Sequence, residues 1–272
     1  MKLSCCHDIH DDNGCGDINS GDNDSYIDAY RSSVTHGSCD ISGEADYDSC
    51  YPIIDSADQT ACAGGTDISG SIVSTVPFQY HADSTVADSK FPDDTWIITM
   101  IAKDEALASD AVSSSGVEMG MFLMYDFHET YDELTFGALG QGEASASDVV
   151  IRTEATGNVG LDEEYSAHNN VNYMCTDYPI CTGTPPEYRF VVAQEKYDLT
   201  GSKAWADMDH VLTITAAEKE LNCIKTKDAG EGSVTQGTKD VFWRISIPEG
   251  QAADAYTGLN VITGVTGESV DW

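Results

Sequence analysis

The sequence predicts an all-β fold: an antiparallel β-sandwich preceded by a loop-rich, disulfide-stapled acidic module. Three observations carry that expectation. From Ser71 onward, apolar runs of roughly six to ten residues are separated by clusters of Gly, Asp, Asn and Pro, the texture of strands and turns. Several runs alternate, so each strand has one buried and one wetter face, as two packed antiparallel sheets require. The first seventy residues differ in kind. They hold Cys5, Cys6, Cys15, Cys39, Cys50 and Cys62 out of nine cysteines, in a background of Asp, Gly, Ser and Asn with few aliphatic clusters. The boundary is therefore placed after residue 70, giving a Cys/Asp/Gly-rich module (1–70) and a sandwich domain (71–272).

In the module, short matches recur at Asp17-Ile18, Asp40-Ile41-Ser42-Gly43 and Asp67-Ile68-Ser69-Gly70, which suggests small loops of similar build. Such a segment cannot offset its ordering entropy by apolar burial, and disulfides are the natural substitute. The pairing of its six cysteines stays open. Cys175 and Cys181 bracket the turn-rich Thr-Asp-Tyr-Pro-Ile and suit a local bridge. Cys223 is then the odd thiol, read as reaching the module or another chain. The competing reading is a transition metal. Cys5-Cys6-His7-Asp8-Ile9-His10, with Cys15 nearby, offers zinc or copper ligands and the makings of an electron carrier, but C-x-x-C spacing is missing.

In the second region the expected strands are 71–80, 95–102, 117–125, 148–156, 188–194, 211–216, 241–247 and 256–265. The alternation is clearest where Val241, Trp243, Ile245 and Ile247 oppose Phe242, Arg244 and Ser246, and where Val149, Ile151 and Thr153 oppose Arg152 and Glu154. Only 103–113 and 215–222 have helical composition.

Charge narrows the functions. Thirteen Lys and Arg against 47 Asp and Glu give a net charge of −34, which excludes gripping a phosphate backbone. No apolar run approaches the ~18 residues of a membrane-spanning helix, so no transmembrane segment is expected. The opening Met1–Cys6 lacks the apolar core of a signal peptide; with disulfides implying an oxidising compartment, any leader is expected to have preceded this numbering. An extracellular or cell-surface location follows.

Two acidic stretches are candidate calcium sites, because hard oxygen ligands at close spacing suit that ion: Asp17, Asn19, Asp22, Asp24 and Asp28, then Asp40, Ser42, Glu44, Asp46 and Asp48. Neither has EF-hand spacing. Asn23-Asp24-Ser25 is a glycosylation sequon in the same segment. No nucleophile elbow, zincin, P-loop or dinucleotide motif is present, and no enzymatic activity is expected. Asp93-Asp94, Glu163-Glu164 and Asp207 with Asp209 read as solvated loop carboxylates.

The run from Val241 to Leu259, with its alternating strand, Pro248 and Gly250 in a turn, Ala252-Ala253 and then Tyr256-Thr257-Gly258, resembles the closing two strands of Ig-like β-sandwich domains in secreted prokaryotic surface and pilus-type proteins. Asp254 stands where that pattern more often has glycine. The resemblance implies an Ig-like sandwich and a surface address, with no catalytic act. Apart from it, Pro248 ends a ladder, Gly250 supplies a turn, and Tyr256 can cover the sandwich end with its hydroxyl hydrated.

The expected function is a secreted structural subunit that assembles with copies of itself into a filament, pilus-like fibre or surface array, with 71–80 as a candidate strand donor. The alternative is a calcium-dependent adhesin or carbohydrate-binding protein that meets surface glycans through Tyr125, Tyr131, Tyr165, Tyr173 and Tyr178. Trp272 either packs on its own domain or anchors in a neighbouring subunit.

Overall fold

Alternation in the sequence becomes alternation of faces. In the strand from Val149 to Ala155, Ile151, Thr153 and Ala155 are buried while Arg152 and Glu154 lie half-exposed. A computed structural model of the chain describes residues 3–10, 12, 26–35, 46–54, 58–60, 68–103, 109–167, 172–230 and 233–272, and the fold is all-β with antiparallel sheets. In chain order the strands are β1 (Leu3–His10), β2 (Tyr26–Arg31), β3 (Cys50–Ile54), β4 (Asp58–Thr60), β5 (Ser69–Val76), β6 (Trp96–Lys103), β7 (Ser109–Ser113), β8 (Tyr125–Phe127), β9 (Val149–Ala155), β10 (Leu161–Ala167), β11 (Tyr173–Cys175), β12 (Arg189–Val191), β13 (Glu195–Asp198), β14 (His210–Val211), β15 (Ala217–Cys223), β16 (Lys227–Gly230), β17 (Ser233–Thr235), β18 (Gly237–Ile245) and β19 (Asn260–Thr266). No helix among the described residues is long and apolar enough to cross a membrane.

The chain forms two compact units. The first comprises Met1–Phe122, Gly157–Val159 and Thr226–Thr235; the second comprises Leu123–Thr156, Gly160–Lys225 and Gln236–Trp272. This division differs from the compositional boundary at residue 70. Strand β5 runs across that boundary and pairs with β1, while β2 and β3 join β6 and β7 in one sheet of order β3-β2-β6-β7. Strands from the cysteine-rich region thus share a core with strands beyond it. Ile27, Ala29 and Tyr51 pack with Val76, Phe78, Trp96, Ile98 and Met100. The Trp96 indole donates to Asp83 O (2.9 Å), and Arg31 pairs with Asp83 (2.9 Å) and Asp94 (2.5 Å). Asp94, read as a solvated loop residue, is one of those internal partners. Burial raises its pKa, but the hydrogen bonds from Ser33, Arg31 and Ser32 outweigh that and leave it below the usual carboxylate value.

The second unit is a sandwich. A five-stranded sheet of order β14-β13-β18-β9-β8 packs against a three-stranded sheet of order β15-β10-β19, and Tyr197, Val241, Trp243 and Ile245 from one layer meet Leu161, Tyr165, Leu221 and Cys223 from the other. Trp243 stands edge-on to Tyr165 at 5.6 Å between ring centroids and lies 4.9 Å from Tyr197. Strands β18 and β19, the pair carrying the sequence resemblance, fall in different layers, separated by a turn at Gly250, whose φ is +83°. The Tyr256 hydroxyl lies within donating distance of two carbonyls, Ala252 O (2.7 Å) and Glu187 O (3.0 Å), at the partly exposed end of the sandwich. Trp272 is buried, and its indole donates to Gly267 O at 3.1 Å, so the terminal tryptophan packs on its own unit.

Several elements differ from expectation. The stretch 215–222, helical in composition, supplies β15, because pairing with β10 satisfies its backbone. Within 103–113, β7 is a strand paired with β6, and residues 104–108 lie outside the described set. The expected strand 117–125 is a single bridge from Val117 to Trp96, with β8 starting only at Tyr125. Strand β10 went unrecognised because its sequence, LDEEYSA, is polar; yet Leu161, Glu163, Tyr165 and Ala167 line the sandwich interior. One close approach is testable. A Cβ on Gly237 would sit 1.5 Å from Ile224 O, so Gly237→Ala should cost roughly 1–3 kcal/mol through forced backbone displacement, read as a lower urea midpoint with an unchanged slope.

Candidate functional site

A concavity lies within the second unit. Its floor is made by Ile151 of β9, Ile245 of β18 with the following Ile247, Met174 of β11, Phe190 of β12 and Ile262 of β19. One wall is the extended segment 132–141, which joins no sheet yet turns Leu134, Phe136 and Leu139 onto the core; the other is 251–259. The cleft encloses about 1120 Å³.

Glu195 opens onto this floor. It is the first residue of β13, reached through a short 3-10 turn (Val192–Gln194), and it pairs with Ile245 in the neighbouring strand. Its carbonyl accepts from the amide of Leu212 (3.0 Å), which fixes the backbone under the side chain. The carboxyl is 2 % exposed, and its Oε1 accepts from Asn260 Nδ2 at 2.6 Å. Asn260 begins β19 in the opposite layer, so this hydrogen bond ties the two sheets together. Burial among apolar groups pushes the Glu195 pKa up to about 7, against the lowering effect of the Asn260 amide. The other carboxyls lining the cleft, Asp132, Glu133 and Asp254, are exposed, and the lining contains no Lys, Arg or His. Comparison with protein-family models, with curated proteins and with solved structures found no match. The chemistry of this site therefore rests on its own geometry: an apolar cleft, acidic from floor to rim.

A second buried acid is structural. Glu163, read as a solvated loop residue, lies inside the sandwich, where the Thr153 hydroxyl donates to its Oε1 (2.6 Å) and the Tyr165 hydroxyl bonds its Oε2. Burial raises its pKa despite those bonds. Asp209 of the Asp207 and Asp209 pair shares Lys203 with Asp198, at 2.5 and 2.7 Å.

The cysteine and calcium assignments divide. Cys175 and Cys181 form the local disulfide, with 5.4 Å between Cα atoms, and Cys50 is also disulfide-bonded. Cys223 is a fully buried thiol in the sandwich core with its sulfur facing Ile224 O. The side chains of Cys5, Cys6 and His7 and the whole of Cys15, Cys39 and Cys62 lie outside the described residues, as do Asp17, Asn19, Asp22, Asn23, Asp24, Asp40, Ser42 and Glu44. Of the remaining calcium candidates, Asp28 is buried within β2, Asp46 accepts from the Ser49 hydroxyl (2.9 Å), and Asp48 accepts from His81 Nδ1 (3.1 Å) and the amide of Asp228 (3.2 Å). Among the described residues no three such groups converge to hold a metal ion.

The proposed glycan-facing tyrosines also divide. Tyr165 is core, Tyr125 packs on the core and donates to Ile262 O (2.9 Å), and Tyr173 and Tyr131 lie under Arg189 and Arg152. Glu195 was not singled out from the sequence. One carboxylate among 47 acidic residues has no local signal, and its partner stands 65 residues away.

Proposed function

We propose that this chain is a secreted structural subunit that assembles with copies of itself into a filament or surface array, by backbone pairing at the open edge of β1. One observation carries the reading. β1 is an eight-residue edge strand, LSCCHDIH, with neither Pro nor Lys to protect it; it pairs with β5 at every position and, among the described residues, with no strand on its other side. A long unprotected edge is a template for another chain. The proposed donor 71–80 fits differently: β5 is the central strand of its sheet, held by β1 and, across Ser71 to Val73, by β4. Donation would dismantle that sheet, whereas edge addition at β1 keeps it.

The disulfides at Cys175–Cys181 and Cys50 support an extracellular address, and the Val241–Leu259 resemblance supports a surface role without catalysis. Copies at −34 repel, and with a screening length of about 10 Å at 0.1 M ionic strength, assembly should need salt or divalent cations.

The test is a pair of variants, Asp8→Pro and Ile9→Pro. Alternate amides of an edge strand point to opposite sides, so one of the two prolines blocks only the outward edge and leaves the β5 ladder intact. That variant should stay folded, with no fibres or arrays in negative-stain microscopy under conditions where the parent chain forms them. Regular assemblies from both variants would refute assembly through β1.

A further inference from the structure

We propose that the cleft of the second unit is a docking site for an extended segment of a different protein, carrying a lysine or arginine between apolar residues. Four features converge on that occupant. At about 1120 Å³ the cleft exceeds the ~300–1,000 Å³ typical of small-molecule sites, so it suits a stretch of polypeptide. Its floor, with Phe190, Ile245 and Ile262, takes apolar side chains from one face of a strand. Strand β19, along one side, pairs with β10 and, among the described residues, with no strand on its other edge, so that, apart from the Ile262 carbonyl held by the Tyr125 hydroxyl, its edge can take an added strand. The charge is one-sided: Glu195 lies in the floor, Asp132, Glu133 and Asp254 at the rim, and among the described residues no Lys, Arg or His lines the cleft.

A carboxyl buried in apolar surroundings is costly to ionise alone. An incoming ammonium or guanidinium supplies the missing partner, while Asn260 keeps the Glu195 side chain in place. The source is a different protein on grounds of charge: four of this chain's thirteen Lys and Arg, Arg31, Arg152, Lys203 and Arg244, are already held by its own carboxylates. A second copy would also bring another 34 negative charges. Four acidic groups around an apolar floor thus select a basic partner and reject a copy of the chain.

The experiment uses the full chain and fluorescein-labelled peptides of sequence Val-Thr-X-Thr-Val-Thr, with X being lysine, norleucine or glutamate, followed by anisotropy at low salt. The lysine peptide should bind at least about ten-fold tighter than the norleucine peptide, and the glutamate peptide weakest, since X shares a face with the valines. Glu195→Gln, which retains a hydrogen-bonding partner for Asn260, should remove most of the lysine preference while leaving norleucine affinity within about two-fold. The exposed rim variant Asp254→Asn should reduce the preference more modestly. Equal affinity for the lysine and norleucine peptides, binding of none of the three, or a preference unchanged in both variants would each overturn the proposal.

Discussion

Trp243→Ala is expected to be the most damaging single substitution in the sandwich, at about 3–5 kcal/mol, the usual range for truncating a buried tryptophan. Trp243 is fully buried in β18, the strand that joins β13 to β9, and its ring contacts Tyr165 from the facing sheet and Tyr197 from its own. The loss has two parts: apolar contact with both tyrosines, and a cavity that two β-sheets cannot close without shifting their ladders. Because the Trp sits between layers, its removal should weaken the docking of the sheets more than the pairing within either. Guanidinium unfolding followed by far-UV circular dichroism checks the magnitude. A midpoint within experimental error of the parent would mean that the layers do not depend on this contact. The smaller truncation Trp243→Phe, which keeps one aromatic ring between the layers, should cost less than Trp243→Ala.

The second large effect is on pH dependence. The pKa of Glu195 is raised by burial from an ordinary value near 4.5 to about 7. Below the unfolded value both states are protonated and the contribution of the neutral acid is fully present. As pH rises through 4.5 the unfolded chain ionises first and gains stability, and the folded state loses ground until its own carboxyl titrates near 7. The separation amounts to a loss on the order of 3 kcal/mol across that window. Asp94 and Asp198 act with the opposite sign. Their lowered pKa values contribute stability above the ordinary value of 3.8 that is lost as pH falls further, so their window lies below that of Glu195. Glu163 is raised like Glu195, and remains in both proteins when Glu195→Gln is compared with the parent. The parent minus variant difference should therefore fall by about 3 kcal/mol between pH 4.5 and 7 and flatten above. A difference constant over that range would show that Glu195 ionises freely. Occupation of the cleft by a cation should shrink the drop, because the bound charge favours the carboxylate.

The all-β class was readable because alternation is local. Val241, Trp243 and Ile245 are each buried, as the period-2 pattern requires, and the Cys175–Cys181 bridge spans a loop short enough to be recognised in place. Strand β10 shows the limit. A run of LDEEYSA has no apolar face until Glu163 is neutralised in the interior by its own strand's Tyr165 and by Thr153, which β9 brings from the facing sheet. Composition failed for 215–222 by the same mechanism, since helix formers pair as a strand when an open edge needs one.

By itself, then, the sequence determined that the chain would build antiparallel strands, carry a strong negative charge and close a small disulfide loop, because composition, alternation and short separations act between near neighbours. Only the tertiary structure decided that the cysteine-rich region contributes strands to a shared core, that β1 presents an edge, and that Glu195 meets Asn260 under an apolar cleft. Each of those joins residues far apart in the chain, and their energies depend on which strand lies beside which. No local pattern encodes that adjacency; it emerges when ladders and buried faces are satisfied together.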